Sequence, residues 1–342
     1  MSTRMQDAAH VPLAEVTRGD EVESLHAGSI AVVDTGGRIL YAAGDPECLT
    51  FTRSTIKPFQ AAPFIAAGGA ERFGLDAREL ALLCASHSGE EMHVQTVQSI
   101  LQKADCQEQQ LGCGCHVPMR YSLEALPPPG AVFTQLHHNC SGKHAGFLAS
   151  CIQHGWPIAD YLNPSHPLQL AVRRSVAHFA GMAEDELKMG IDGCSAPNYA
   201  MPLSRLALSY ARLAQDGSDD VYGDAPAKLC AAMTASPELV SGTGRTDVAF
   251  MQSGPGDWVA KIGAEGVQVI GIRSAGLGIA VKVADGNTRA LCTATVSVLQ
   301  QLGLLAHPEA SPLAAWVRPK THNYAGIRTG ELRAVFALAG RS

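Results

Sequence analysis

Trp258-Val-Ala-Lys-Ile-Gly263 opens the stretch that decides the fold, because two more apolar runs, Val267 to Arg273 and Gly278 to Val283, follow it across glycine turns. Short runs rich in Val and Ile and bounded by glycine are typical of β-strands. The three runs predict an antiparallel meander. A longer periodic segment, Thr288 to Leu304, then predicts a helix that closes the chain.

The N-terminal half carries the other sheet signal. Ser29 to Asp34 and Arg38 to Ala43 flank the turn at Gly36-Gly37 and predict a hairpin. Between hairpin and meander the apolar periodicity is helical, and Leu111 to Asn139 is predicted to be irregular. The architecture predicted is α+β, an antiparallel sheet with helices packed on it. The predicted helices are Ser54 to Ala67, a helix from a cap at Ser88 to Lys103, His144 to Gln153, Pro167 to Ala180 and Pro202 to Gln215.

The composition is that of an ordinary globular protein. The 342 residues are 46% apolar and 17% charged, so the chain can bury a large core. We expect one catalytic domain over residues 1–342, with residues 1–27 as a flexible or peripheral segment. The formal charge of −6 and the absence of a basic stripe argue against nucleic acid and anionic membrane as partners. Small molecules are the expected ligands.

The chain start and the cysteines bear on the compartment. Residues 1–10 lack an apolar core and a small-residue cleavage site, and no 18-residue apolar run follows. The ten cysteines are therefore expected to be reduced thiols, some of them candidate metal ligands. These features predict a cytoplasmic protein.

Ser54 and Lys57 form the clearest catalytic pattern. Residues three apart share a helix face, so the Lys57 amine can reach the Ser54 hydroxyl. A serine is a weak nucleophile until a base takes its proton, and a buried, neutral lysine is such a base. The alternative is a helix N-cap serine with a lysine in the first turn.

Further polar segments accompany this pair, while the usual nucleotide-binding, zincin and α/β-hydrolase motifs are absent. With them the chain resembles the rhizobial-type, or class 3, L-asparaginases of the asparaginase II family, from Gly28 to the C-terminus. The motifs that carry the resemblance are Arg53-Ser54-x-x-Lys57, Ala85-Ser86-His87-Ser88-Gly89-Glu90, Asn139-Cys140-Ser141-Gly142-Lys143-His144, Asp192-Gly193-Cys194, Gly242-x-Gly244-Arg245-x-Asp247 and Lys261-x-Gly263-Ala264-Glu265-Gly266.

The resemblance implies an amidohydrolase that converts L-asparagine to L-aspartate and ammonia, a homodimer with a fold similar to serine β-lactamases. It implies a second Ser-Lys pair, Ser86 with Lys261. It also implies that Arg53 and Asp192 help to hold the substrate. Finally, it implies one zinc ion per subunit, held by Cys140, Lys143 and Cys194.

Two Ser-Lys pairs suit amide hydrolysis, which needs a nucleophile, a base and a proton donor for the leaving ammonia. We expect Ser54 to attack and Lys57 to accept its proton, while Ser86 and Lys261 pass a proton to the leaving nitrogen. The reverse assignment of the two serines stays open. Zinc is expected to orient the substrate rather than to activate water.

Alternatives remain for the cysteines and for the function. Cys140 and Cys194 could be buried free thiols. A rival metal site could use Cys113, Cys115 and His116, with His137 and His138 nearby in sequence. The other functions are a β-lactamase-like acyl hydrolase, although its Lys-Thr-Gly and Ser-Asp-Asn motifs are absent, and a non-enzymatic zinc protein.

Overall fold

A computed structural model describes residues 3–121 and 126–341 of the chain. The chain separates into two compact units. Unit 1 comprises Met1–Thr55, Ala200–Arg212 and Gln252–Ser342, and unit 2 comprises Ile56–Tyr199 and Leu213–Met251. A single catalytic domain over 1–342 stays a prediction.

The strands and helices are numbered in chain order. The strands are β1 (Val11–Arg18), β2 (Glu21–Asp34), β3 (Ile39–Ala43), β4 (Leu49–Phe51), β5 (Lys188–Ile191), β6 (Pro197–Pro202), β7 (Trp258–Gly263), β8 (Val267–Ile272), β9 (Leu277–Val283), β10 (Lys320–His322), β11 (Arg328–Ala334) and β12 (Ala339–Gly340). The helices are α1 (Lys57–Ala66), α2 (Gly69–Phe73), α3 (Ala77–Leu83), α4 (Glu91–Lys103), α5 (Ser141–His154), α6 (Pro167–Ala180), α7 (Leu203–Leu213), α8 (Ala225–Ala235), α9 (Pro237–Val240), α10 (Thr246–Ser253) and α11 (Thr288–Gln301). In the described part of the chain, no helix has the length and apolarity needed to cross a membrane.

Unit 1 contains the main antiparallel sheet. Its strand order is β10-β11-β1-β2-β9-β8-β7, and β3 pairs with β2 and β12. The predicted hairpin is confirmed, with Ile30 opposite Ala43. The predicted meander is confirmed too, with Lys261 opposite Val269 in the β7–β8 pair. These pairings are antiparallel, both where a short turn joins consecutive strands, as in β1–β2 and β8–β9, and where strands distant in the chain meet, as in β11–β1 and β2–β9.

The N-terminal segment corrects one expectation. Residues 11–18 are not peripheral, because β1 lies inside the sheet between β2 and β11, and Leu13 and Ala14 are fully buried. The pairing shifts register between Pro12 and Ala14, a bulge that accommodates a proline without a backbone N–H. A proline is unusual inside a central strand, so the local sequence pattern did not predict β1.

Helices cover the sheet of unit 1. Helix α11 packs on β1, β8, β9 and β11. Helix α7 approaches the sheet at Gly278, where an added Cβ would lie 1.9 Å from the carbonyl oxygen of Ala207. The predicted α+β arrangement is confirmed.

Unit 2 is mainly helical, with α1, α3, α5, α6 and α8 packed together. Helices α5, α6 and α7 appear within a few residues of their predicted ends. The prediction of one helix over Ser54 to Ala67 is wrong at its start: Arg53–Ile56 is a 3₁₀ turn and α1 begins at Lys57. Pro58 favours this start, because proline belongs in the first turn of an α-helix.

The N-cap of α4 is not the residue that the sequence predicts. Ser88 does not cap this helix; Glu90 is its N-cap, and the backbone N–H of Glu90 donates to His93 Nδ1 at 3.1 Å. The irregular segment predicted over 111–139 has only a 3₁₀ turn at Gln135–His137 within its described residues, and residues 122–125 lie outside them.

We predict that Gly278→Ala lowers the free energy of unfolding by about 1–3 kcal/mol, because the new methyl group overlaps the backbone of α7. Urea denaturation would measure the loss. Gly36→Ala is the control, since its Cβ would meet only a side-chain oxygen of Asp34 at 3.4 Å. Equal stability of the two variants would contradict the close packing of α7 on the sheet.

Candidate active site

Lys57 is a buried lysine at the first position of α1, with a side chain 1% exposed. Its Nζ donates to Ser86 Oγ at 2.9 Å and to the backbone carbonyl of Ala85. A buried amine is costly unless it is hydrogen-bonded, and these two acceptors offset that cost. Helical spacing predicts Ser54 as the partner of Lys57, and the family resemblance implies Lys261 as the partner of Ser86; both pairings stay predictions. The contact between Lys57 and Ser86 was not predicted, because the two residues lie far apart in the sequence.

Ser86 lies on the loop between α3 and α4 and is buried. Its backbone N–H donates to Val240 O at 2.8 Å, and the N–H of His87 donates to Asn139 O at 3.1 Å. Burial, reinforced by the neighbouring His93, lowers the pKa of His87 well below its ordinary value. His87 is therefore neutral, which agrees with the hypothesis that serine and lysine, rather than histidine, carry the proton transfers.

Cys140, Lys143 and Cys194 come together as a second group in unit 2, and all three are buried. Cys140 is the N-cap of α5 and Lys143 lies in its first turn, so that both lie at the start of one helix. Cys194 follows β5 in a turn. Lys143 Nζ donates to Cys194 Sγ at 3.0 Å.

The protons in this group are unevenly shared. The hydrogen bond from Cys140 lowers the pKa of Cys194 far below its ordinary value, and the Lys143 ammonium adds to the effect. The same hydrogen bond, together with burial, raises the pKa of Cys140. Burial alone would lower the pKa of Lys143, but the charges of Cys194 and Cys140 outweigh it and raise that pKa. These directions favour Cys194 as the ionised thiol of the group and Lys143 as its ammonium.

Asp192 belongs to the same neighbourhood. Its negative charge contributes to the raised pKa of Lys143. The backbone fixes it, because Asp192 N donates to Ala196 O at 2.9 Å and its Oδ1 accepts from Gly193 N at 2.8 Å. The Lys57–Ser86 pair and the cysteine group both lie in unit 2.

The donor set fits a soft divalent cation. The two sulfurs are ligands that suit zinc, whereas the Lys143 nitrogen, whose pKa is raised, could bind a metal ion only after losing its proton. The rival set of Cys113, Cys115 and His116 does not converge. In residues 3–121 and 126–341, the ligand atoms of three His, Cys, Asp or Glu side chains meet only at His178, Asp219 and Asp220.

Arg53, Ser54 and Lys261 lie in unit 1. The turn before α1 is anchored there by Tyr210 Oη, which donates to Thr55 O at 2.7 Å. Arg53 has a φ of 50°, a left-handed conformation that is uncommon for a side chain of this size. Lys261 is fully buried on β7, whose last residue, Gly263, packs closely on Thr52, since an added Cβ would lie 3.0 Å from Thr52 O.

Two contacts escaped the sequence reading. Arg53 Nη1 lies 3.8 Å from Glu265 Oε1, in a motif whose glutamate had no assigned role. His144 Nδ1 lies 2.7 Å from Tyr161 Oη, and burial lowers the pKa of His144 to about 4. The contact of Arg53 with Glu265 could have been predicted by pairing opposite charges among the motif residues. No sequence pattern around Tyr161 indicates that its hydroxyl contacts His144.

The sequence profile described as L-asparaginase II matches residues 14–334. The chain belongs to the L-asparaginase II family. Comparison with curated proteins finds none that matches.

Solved structures similar to this family member are distant. A putative β-lactamase from Bacteroides dorei DSM 17855 is 11% identical, with a TM-score of 0.40 over 80% of this chain and 93% of that chain. A structure titled Mglu in its native form, determined in the presence of 4.3M NaCl, is 16% identical, with a TM-score of 0.37 over 81% of this chain and 61% of that chain. At these scores the likeness to serine β-lactamases stays a prediction.

We predict that Cys194 is a thiolate at neutral pH in the metal-free protein, because the hydrogen bond from Cys140 and the Lys143 ammonium lower its pKa. Ultraviolet thiolate absorbance should fall by one equivalent in Cys194→Ser. It should stay unchanged in Cys151→Ser, a buried thiol whose pKa burial raises to about 12. Because the pKa of Cys194 is lowered, the absorbance should persist as the pH falls below neutrality. Loss of the signal near the ordinary pKa of a thiol would contradict the assignment.

Proposed function

We propose that the protein is an L-asparaginase, an amidohydrolase that converts L-asparagine to L-aspartate and ammonia through an acyl-enzyme on serine. The observation that carries the proposal is the buried hydrogen bond between Lys57 Nζ and Ser86 Oγ. A lysine with so little access to water and a serine as its partner is an arrangement for moving protons. Membership of the asparaginase II family supports L-asparagine as the proposed substrate.

The reaction proceeds in two stages in this proposal. Ser54 Oγ attacks the side-chain amide carbon, and Lys57 takes the hydroxyl proton. Ser86, hydrogen-bonded to Lys57, passes a proton to the nitrogen, with Lys261 as its second partner, and the C–N bond breaks to release ammonia. Water then attacks the β-aspartyl ester, its proton returns through the same lysine and serine to Ser54 Oγ, and aspartate leaves.

The polar groups around the serines have separate tasks. Arg53 binds the substrate carboxylate, a contact that guanidinium makes with two parallel hydrogen bonds. Asp192 binds the ammonium of the amino acid. The protein is further proposed to be a cytoplasmic homodimer.

One zinc ion per subunit is proposed, with Cys140, Lys143 and Cys194 as its protein ligands. A zinc ion there would act as a Lewis acid that orients the substrate. Lys143 must lose a proton to bind it, and Cys140 must lose its thiol proton as well. The ionised Cys194 provides the first negative charge for the cation.

We predict that Ser54→Ala lowers kcat for L-asparagine at least about 10⁴-fold and Lys57→Met about 10²–10⁴-fold, because the nucleophile and its base are lost. Ammonia release by purified, folded protein measures both. Ser297→Ala on α11 is the matched control and should keep full activity. A fully active Ser54→Ala variant would overturn the mechanism.

We predict that Cys140→Ala and Cys194→Ala lose bound zinc, whereas Cys151→Ala retains it. Cys151 is the control because it lies on the same helix as Cys140, is equally buried and stands outside the group. Metal analysis after dialysis gives the stoichiometry. Zinc retained at one equivalent by both ligand variants would exclude this site.

The competing functions predict other outcomes. A β-lactamase-like hydrolase would turn over nitrocefin in preference to asparagine, and a non-enzymatic zinc protein would release no ammonia from any amide. Glutamine has one more methylene than asparagine, a difference that a pocket discriminates by about 1–3 kcal/mol, so we expect its turnover to be slower but measurable.

A further inference from the structure

The segment 240–245 contains the Gly242-x-Gly244-Arg245 motif, which the proposed chemistry leaves without a task. This segment runs beside the loop that carries Ser86. Val240 O accepts from the backbone N–H of Ser86 at 2.8 Å, and Ser241 O accepts from Ser88 Oγ at 2.9 Å. The position of the Ser86 loop therefore depends on where residues 240–243 lie.

Thr243, near the C-terminal end of this segment, is hydrogen-bonded to Glu90. Its backbone N–H donates to Glu90 Oε1 at 3.0 Å, and its hydroxyl donates to Glu90 Oε2 at 2.7 Å. Hydrogen bonds to an ionised carboxylate are stronger than those between neutral groups. Glu90 is the N-cap of α4, a place where the helix dipole favours negative charge. One exposed threonine thus occupies both oxygens of a fixed carboxylate.

The glycine before Thr243 makes the close approach possible. Gly242 has a φ of 131°, and an added Cβ would lie 2.2 Å from Ser88 Oγ and 2.7 Å from Glu90 Oε1. A larger residue would push the segment away from the loop and lengthen each of the contacts. The motif therefore reads as a closely packed support for the Ser86 loop.

We propose that Thr243 is a positioning residue, whose two hydrogen bonds to Glu90 hold residues 240–243 against the Ser86 loop. The loop in turn keeps Ser86 Oγ within hydrogen-bond reach of Lys57 Nζ. Thr243 itself takes no part in bond making. The effect of Thr243 on turnover rests on the proposed asparaginase activity. The effect of Thr243 on the position of the Ser86 loop is independent of that activity.

The test compares Thr243→Val, which keeps the shape and removes the hydroxyl, with Thr243→Ser, which keeps the hydroxyl. Because Thr243 is exposed, neither change disturbs the core. We expect Thr243→Val to lower kcat for asparagine roughly tenfold with KM within about twofold of wild type, since a small misplacement of a catalytic group slows the reaction. Thr243→Ser should restore kcat. The backbone amides of residues 85–90 should exchange hydrogen faster in Thr243→Val alone.

A double variant adds a direct check on the partner. If the hydroxyl acts through Glu90, Thr243→Val should add little to the loss already caused by Glu90→Gln. Unchanged amide exchange and kcat in Thr243→Val would overturn the proposal, as would equal impairment of Thr243→Ser. Should wild type release no ammonia, faster exchange in the valine variant alone still supports the positioning role, and only the proposed function fails.

Discussion

The burial of the Lys57 amine is the constraint on which the rest of the site depends. An amine this deep in a protein must keep its hydrogen bonds, and here Ala85 O and Ser86 Oγ accept them. Both acceptors lie on one loop between α3 and α4. That loop has no regular structure of its own, so contacts from Val240, Ser241 and Thr243 hold it in place.

The cysteine group solves a similar electrostatic problem in another way. Lys143 is as buried as Lys57, but its charge is balanced by the Cys194 thiolate rather than by neutral oxygens. Removing Lys143 would leave an unpaired thiolate in a dry environment, which is costly. The same pairing keeps the Lys143 amine and the Cys194 sulfur 3.0 Å apart inside the protein.

The elements that could be predicted from the sequence are those with a clear local periodicity of apolar residues. The hairpin, the meander, α5 and α6 all follow from spacing within ten or so residues. Strand β1 was not predicted, because Pro12 is unusual in a central strand and because the partner strand β11 lies at the other end of the chain. The Lys57–Ser86 contact was not predicted, because Ser54 is the serine at helical spacing from Lys57, whereas α1, α2 and α3 separate Lys57 from Ser86 in the sequence. The proposal that Cys140 and Cys194 bind a metal comes from the family resemblance alone. The contact of Thr243 with Glu90 is seen only in the structure.

The most direct test of the account is to find which serine carries the acyl group during turnover. The protein is mixed with excess L-asparagine, quenched in acid and digested, and its peptides are weighed by mass spectrometry. We expect a β-aspartyl adduct on the peptide that contains Ser54, and no adduct in Lys57→Met. An adduct on Ser86 would reverse the roles of the two serines, and turnover with no adduct on either peptide would contradict covalent catalysis.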